Sequence, residues 1–410
     1  MNKHLLIVNA TSEGNLPNFV VAKKMGLYIT LVGPEFPSWV KPYVNNYIKA
    51  DNYNVIELVD IIISYNKKKK IDGVITFWDR EVKAVAAIAH ALNLLGNSPE
   101  AALISKHKGE MRKMLQKHNV SQPEFYLIKK ESDLYEAAKK IGYPLILKPT
   151  GASASQGIFL IDDKDQINKA YNEIESVLKP DYWFDQHEYL AETYMKGVEF
   201  SVEGIAQEQN DIFFAGITKK WTDPKYFAEQ QHCFPADLKQ DEINSIYELV
   251  GKAIVAIGLR YSAFHAEVMK TGKTFKIVEV NARLGGDLIT TQLVPLATGF
   301  SIVEAAIKTS LGIPIFIEPY HKIEYACIRY IIENNKGTIA WKNTSILQEL
   351  KKTGMIVDFR LLKSDGELVL TPPEKFGENR LCYVITKAGT EAEATERAIS
   401  ALNKLEYEIV

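Results

Sequence analysis

Along the first hundred residues, short β-branched apolar runs alternate with stretches of helical periodicity. Residues 5–8, 28–32 and 73–77 are largely apolar and are closed by Gly, Pro, Asn or Asp, the pattern of buried parallel strands. Residues 81–95, rich in alanine, predict a helix. Together they predict an α/β domain over residues 1–98, ended by the turn cluster Gly96-Asn97-Ser98-Pro99. The pattern then changes. Predicted strands at 143–148, 158–161, 190–194, 199–205, 212–218, 264–269 and 275–280 alternate with helices in an antiparallel-looking α+β domain over residues 99–310. Pro314 and Pro319 bracket a second boundary, beyond which strands around 325–330, 355–361 and 380–386 predict a smaller α+β domain over residues 311–410.

Composition narrows the function. The 410 residues are roughly two to three times the usual domain size, and 46% hydrophobic with 24% charged residues is ordinary for a globular chain, which excludes disorder and collagen. Lys and Arg number 49 against 51 Asp and Glu, so the formal charge of −2 offers no basic field for nucleic acid or an anionic membrane. Any phosphate recognition must be local. The run Lys67 to Lys70 fits a solvated helix end favoured by the helix dipole. The three cysteines, Cys233, Cys327 and Cys382, are odd in number and widely spaced, which predicts neither a disulfide framework nor a zinc knuckle and fits a reducing cytoplasm. The start of the chain lacks a charged n-region with a long apolar core, and no apolar run reaches the roughly 18 residues of a membrane helix. The expectation is a cytoplasmic protein.

Candidate chemistry concentrates in residues 264–283. Two predicted strands around Thr271-Gly272-Lys273 make a hairpin. Side chains alternate along a strand, so His265 and Glu267 share one face, as do Glu279, Asn281 and Arg283. If the loop holds an odd number of residues, such as those three, both sets fall on the same side. Two carboxylates and an amide would then converge and repel unless a positive charge sat between them. A hard divalent cation carrying a nucleotide's phosphates suits that oxygen set, although a solvated polar face would show the same pattern.

Two further stretches tilt the choice. Lys148 follows an apolar run and precedes Pro149, and a lysine so placed either snorkels to solvent or meets an anion. The small-residue loop Gly151-Ala152-Ser153-Ala154-Ser155-Gln156-Gly157 after it can bring backbone N–H groups close to phosphate oxygens. It is not the GxxxxGK loop of P-loop NTPases, and Asn9 to Gly14 lacks the GxGxxG of a dinucleotide site. Glu192 and Glu199 flank a short apolar segment and a Gly turn, where they could meet an adenine amine and a ribose hydroxyl.

Taken in this order, residues 99–310 resemble the ATP-grasp superfamily, the order of motifs being more specific than any one of them. The resemblance implies an ATP-grasp fold with an N-terminal α/β (pre-ATP-grasp) domain, a lid region over about residues 110–190 and a C-terminal domain that completes the enzyme. It implies that Lys108 and Lys148 hold ATP phosphates, that the loop with Ser153, Ser155 and Gly157 closes over them, and that Glu192 with the backbone at Tyr194 and Met195 binds adenine. Glu199 would bind ribose, Glu267, Glu279 and Asn281 two Mg²⁺ ions, for which Mn²⁺ could substitute, and Arg283 the transferred phosphoryl group. The whole chain is most similar to the L-amino-acid ligases, through Gly96 to Pro99, Gln231 to Ala236 and Asn281 to Asp287. In the segment resembling their substrate-recognition loop, Glu229 and His232 would hold an amino acid, with Arg283, Gly286 and Asp287 beside it.

The chain departs from the family at three points. The lid usually reads Gly-Ser-Arg-Gly where Ala154-Ser155-Gln156-Gly157 stands here. Better-known dipeptide-forming members carry a bulky residue near Asp287. His265 stands where D-alanine ligases carry a catalytic arginine, which argues against that activity.

The expected reaction is amide formation between an amino-acid carboxylate and an amine through an acyl phosphate, on small-molecule substrates, with neither nucleic acid nor membrane as partner. A homodimer is left open. Three rivals remain: another ATP-grasp ligase or carboxylase, such as one acting on purine precursors; a nucleotide-binding module without turnover; and a dinucleotide-dependent oxidoreductase.

Overall fold

The computed structural model describes residues 3–153, 155–177, 188–208, 211–223, 227–315, 324–372, 374–375 and 377–410. The three apolar runs of the first hundred residues form parallel strands His4–Val8, Tyr28–Gly33 and Gly73–Ile75, with Asn46–Lys49 added at one edge. Helices on the sheet cover strands such as His4–Val8, buried at every position, which is why that strand reads as an unbroken apolar run rather than an alternation. The predicted 81–95 helix spans only Val82–Ala91, and Asn93 just beyond it takes a left-handed conformation that ends it.

A four-stranded antiparallel sheet follows, in the order Phe125–Ile128, Tyr189–Thr193, Leu145–Pro149, Phe159–Ile161. Helices Glu131–Ile141 and Ile167–Val177 lie on it, around a core with Leu134, Leu145 and Tyr189. The largest sheet has eight strands, ordered Thr274–Asn281, Ser262–Thr271, Val198–Ala206, Ile212–Thr222, Glu229–Phe234, Tyr325–Ile332, Arg380–Ala388, Asp358–Leu361. Strands on both sides of residue 311 therefore belong to one sheet, joined where Glu229–Phe234 pairs with Tyr325–Ile332. A small sheet of Leu368–Val369, Gly337–Trp341 and Tyr407–Ile409 completes the described strands.

The eight-stranded sheet has two unlike faces. Phe200, Val202, Phe264, Ala266 and Val268 point into a core shared with helix Gln240–Ile257. Their neighbours Glu199, Ser201, Glu203, His265 and Glu267 alternate to the other side and make a polar face.

Two expectations are corrected. The segment with Glu229 and His232, read as a loop, is an interior strand. Its start, Glu-Gln-Gln-His, is polar, so no apolar alternation announces it; it is buried because other polar groups meet its side chains. Cys233 and Cys327, whose spacing predicted no disulfide framework, face one another as a directly registered pair on adjacent strands, with Cα atoms 4.1 Å apart. Sequence spacing of 94 could not show that contact. Among the described residues, no helix is long and apolar enough to cross a membrane.

Candidate active site

The polar face begins at the hairpin. Thr271 pairs with Thr274, so the turn is the two residues Gly272 and Lys273 and not three, with Gly272 in the left-handed region. An even loop alone would set Glu267 opposite Val278. A bulge between Glu267 and Val268 supplies the odd residue instead, and beyond it Glu267 pairs with Glu279 and His265 with Asn281. Glu267, Glu279 and Asn281 thus share one face, as an odd loop would have placed them, but by a bulge rather than by the turn. Arg112 pins the irregularity, donating from Nη2 to the Val278 carbonyl at 2.7 Å.

Arg112 also ties the hairpin to the smaller sheet. It is fully buried, and its Nε lies 2.5 Å from Glu192 Oε1, while Lys148 Nζ lies 2.5 Å from Glu192 Oε2. Burial alone would raise the Glu192 carboxyl, but Arg112 and then Lys148 outweigh it and draw it down to about 2. Burial pulls the Lys148 ammonium down, with Glu192 opposing. Lys108, in the first turn of helix Lys108–Lys117, reaches Ala152 O at 2.6 Å and Glu279 Oε1 at 3.0 Å, so it joins the small-residue loop to the hairpin. In that loop Gly157 and Ser155 both have positive φ; a Cβ on Gly157 would come within 3.0 Å of Pro149, and Ser155 Oγ donates to Phe227 O. Ser153 O accepts from Gln156 N in the turn between them. Tyr194, whose ring meets Phe227, and Met195 follow Glu192 at the end of its strand and are half-buried.

A residue missing from the sequence reading joins the two sides. Lys220, 4% exposed, places Nζ 2.6 Å from Glu199, 2.7 Å from Glu229 and 2.8 Å from Glu267. Its strand was predicted to end at residue 218; carrying the alternation one step further would have placed Lys220 on the polar face. Behind Glu267, His265 Nε2 lies at 3.4 Å, and its Nδ1 is 2.8 Å from the fully buried Glu203. Burial would lower the imidazole, but Glu203 and then Glu267 raise it to about 9.

Toward the far edge, His232 Nε2 sits 3.0 Å from Asp287 and 3.8 Å from Glu229. Arg380 grips Asp287 with two contacts of 2.9 Å, donates to the Glu229 carbonyl at 2.7 Å and lies over the Tyr330 ring at 4.1 Å. Arg380 was also unforeseen. A second bulge, between Ile331 and Ile332, shifts the register so that Ile332 pairs with Arg380, which turns its side chain to the polar face. Asp287 is held well below the usual carboxylate range, because Arg380 first and His232 next outweigh its burial. It takes a positive φ; Gly286 before it is exposed, with open space where a Cβ would stand. Arg283 lies past the end of its strand, its Nε 2.8 Å from Asp79 Oδ1 of the N-terminal segment, where Lys106 also reaches Asp79. It is therefore clamped by Asp79, an acidic partner that sequence spacing could not indicate.

The donor set fits a hard divalent cation. Glu267 and Glu279 face each other, and Asn281 Oδ1 is buried with no hydrogen-bond partner, an acceptor left for a ligand. Glu229, His232 and Asp287 also bring ligand atoms within 4.8 Å of one another, but Lys220 and Arg380 already neutralise that cluster.

The ATP-grasp domain family matches residues 141–292. An uncharacterized protein of Sinorhizobium fredii is 23% identical over the whole chain, which covers 84% of it. The alanine–anticapsin ligase of Bacillus subtilis is 26% identical over 56% of this chain, and the match spans only 52% of that ligase. Among solved structures, the L-amino acid ligase from Bacillus licheniformis superposes over 100% of this chain and 99% of its own, with a TM-score of 0.84 and 22% identity.

Proposed function

We propose that this protein, whose residues 141–292 match the ATP-grasp domain family and whose fold is the ATP-grasp fold, is an ATP-dependent carboxylate–amine ligase that joins an amino acid to an amine, a second amino acid being the favoured acceptor. Lys108 and Lys148 hold the phosphates under the loop of Ser153, Ser155 and Gly157. Glu192 and the backbone at Tyr194 and Met195 receive adenine, and Glu199 the ribose. Glu267, Glu279 and Asn281 hold two Mg²⁺ ions, which neutralise polyphosphate charge when bound.

An oxygen of the donor carboxylate attacks the γ-phosphorus and the bond to ADP breaks, giving an acyl phosphate. Arg283, held in place by Asp79, faces the charge that builds on the transferred group. The acceptor amine then attacks the acyl carbon, the carbon–oxygen bond to phosphate breaks, and the amine proton passes to solvent. Glu229 and His232 hold the donor's ammonium group, with Asp287 and Gly286 walling its side chain. The domain division at residues 98 and 310 belongs to the same reading.

One observation supports it above the rest: Glu267, Glu279 and Asn281 converge on one face with Lys108 at hand, although the turn alone would have separated them. The test is a phosphate-release screen over pairs of amino acids and amines with ATP and Mg²⁺, followed by mass measurement of the product. An amide product one water lighter than the sum of its substrates is expected. Nucleotide binding without amino-acid-stimulated ADP formation would leave a binding module instead, and turnover driven by bicarbonate a carboxylase.

A further inference from the structure

Lys220 stands among three carboxylates to which the ligase reading gives three different jobs: Glu199 for ribose, Glu267 for metal and Glu229 for the amino acid. An ammonium has three donors, and here each has a carboxylate oxygen within 2.8 Å. The arrangement is set by register. Lys220 pairs with Glu199 on one side and His232 on the other, and Glu267 comes from the next strand, where it pairs with Ser201.

We propose that Lys220 is a resident counter-ion, a positioning residue that occupies the charge of Glu267 and keeps divalent metal away from it until a nucleotide arrives. The inference rests on the assignment of Glu267 as a metal carboxylate. A bare divalent ion approaching Glu267 meets the Lys220 ammonium bonded to the same carboxylate, and like charges so close in a buried site repel strongly. A polyphosphate brings enough negative charge to satisfy ion and lysine together. The metal therefore enters with the nucleotide.

The experiment is Mn²⁺ binding to the whole protein, followed by electron paramagnetic resonance, with and without the non-hydrolysable analogue AMP-PNP. Wild type is expected to bind Mn²⁺ weakly alone and at least tenfold more tightly with AMP-PNP present, after correction for free Mn²⁺–AMP-PNP. Lys220→Met is expected to bind Mn²⁺ without nucleotide at least tenfold more tightly than wild type, and Lys220→Arg, which keeps the charge, to behave as wild type. Lys220→Gln carries the same expectation as the Met variant should that one not fold. Unchanged nucleotide-free affinity in the neutral variants overturns the proposal while leaving the ligase reading intact if AMP-PNP still recruits Mn²⁺ to wild type. Failure of AMP-PNP to recruit Mn²⁺ to wild type overturns both.

Discussion

At one end of the polar face, Glu267, Glu279 and Asn281 come from a single hairpin; at the other, Arg380 grips Asp287 from 93 residues away, and His232 arrives on a third segment. Both ends use a β-bulge to turn a charged side chain toward the site, at Glu267/Val268 and at Ile331/Ile332. The difference lies in what each bulge corrects. The first supplies the odd residue that the two-residue turn lacks, whereas the second imposes a parity that nothing near Arg380 announces. The hairpin at the end proposed for ATP is thus a local device, and the end proposed for the amino acid is assembled by the fold.

The comparison is broken most severely at the ATP end. Lys148→Ala and Glu279→Gln should each reduce ADP release by about 10³-fold, in line with the loss of a charge-stabilising group in a preorganised site. Both variants should still show a cooperative thermal transition. Wild-type turnover in either would separate this end from catalysis.

Next in size is Arg112→Met. Arg112 holds both Glu192 and the Val278 carbonyl, so its removal strands a buried carboxylate and loosens the first bulge together. Breaking a buried pair by removing one partner costs roughly 3–5 kcal/mol, and a value near 3 is expected because Lys148 remains beside Glu192. Urea denaturation measures it. A loss below about 1 kcal/mol would mean that the hairpin holds its register without this anchor.

The amino-acid end should respond in a different quantity. Asp287→Asn and Arg380→Met should each raise KM for the amino acid by roughly 10- to 100-fold, the effect of about 1.4–2.7 kcal/mol of binding, while the dissociation constant for ATP stays within about twofold. The double variant should lose less than the sum, because the two residues act as a pair. An equal loss in ATP affinity would show that the two ends are one site.

Legibility followed the same division. The parallel strands, the hairpin and the buried Lys148 could be read because their signals are local: unbroken apolar runs, period-two alternation, a lysine near the end of an apolar strand. Lys220 was missed because its strand, which runs to Thr222, was ended at residue 218, two residues short of the lysine. Arg112, Asp79 and Arg380 were missed because a buried arginine or aspartate is recognisable only by its partner, and those partners lie 80, 204 and 93 residues distant. Strand Glu229–Phe234 hid for the opposite reason, since a polar strand buried among charges carries none of the apolar pattern by which strands are found.

The smallest effect tests a carboxylate outside both ends. Glu81, two residues after the Asp79 that clamps Arg283, is 1% exposed; Asn9 donates to its Oε1 at 2.6 Å, and Oε2 is buried without a partner. Burial pushes its carboxyl up to about 7 from 4.5, Asn9 opposing. A carboxyl raised on folding binds its proton more tightly in the native state, so the stability it contributes is full below about pH 4.5 and is lost as pH rises through about 7. Glu81→Gln imitates the protonated form and keeps the oxygen that accepts from Asn9. Its stability relative to wild type should therefore rise by about 1 kcal/mol between pH 6 and pH 8, read from urea midpoints at each pH. Parallel curves for the two proteins would mean that Glu81 keeps its charge inside the fold, and the N-terminal segment would then bring a second negative charge, beyond Asp79, to the side of the site where Arg283 waits.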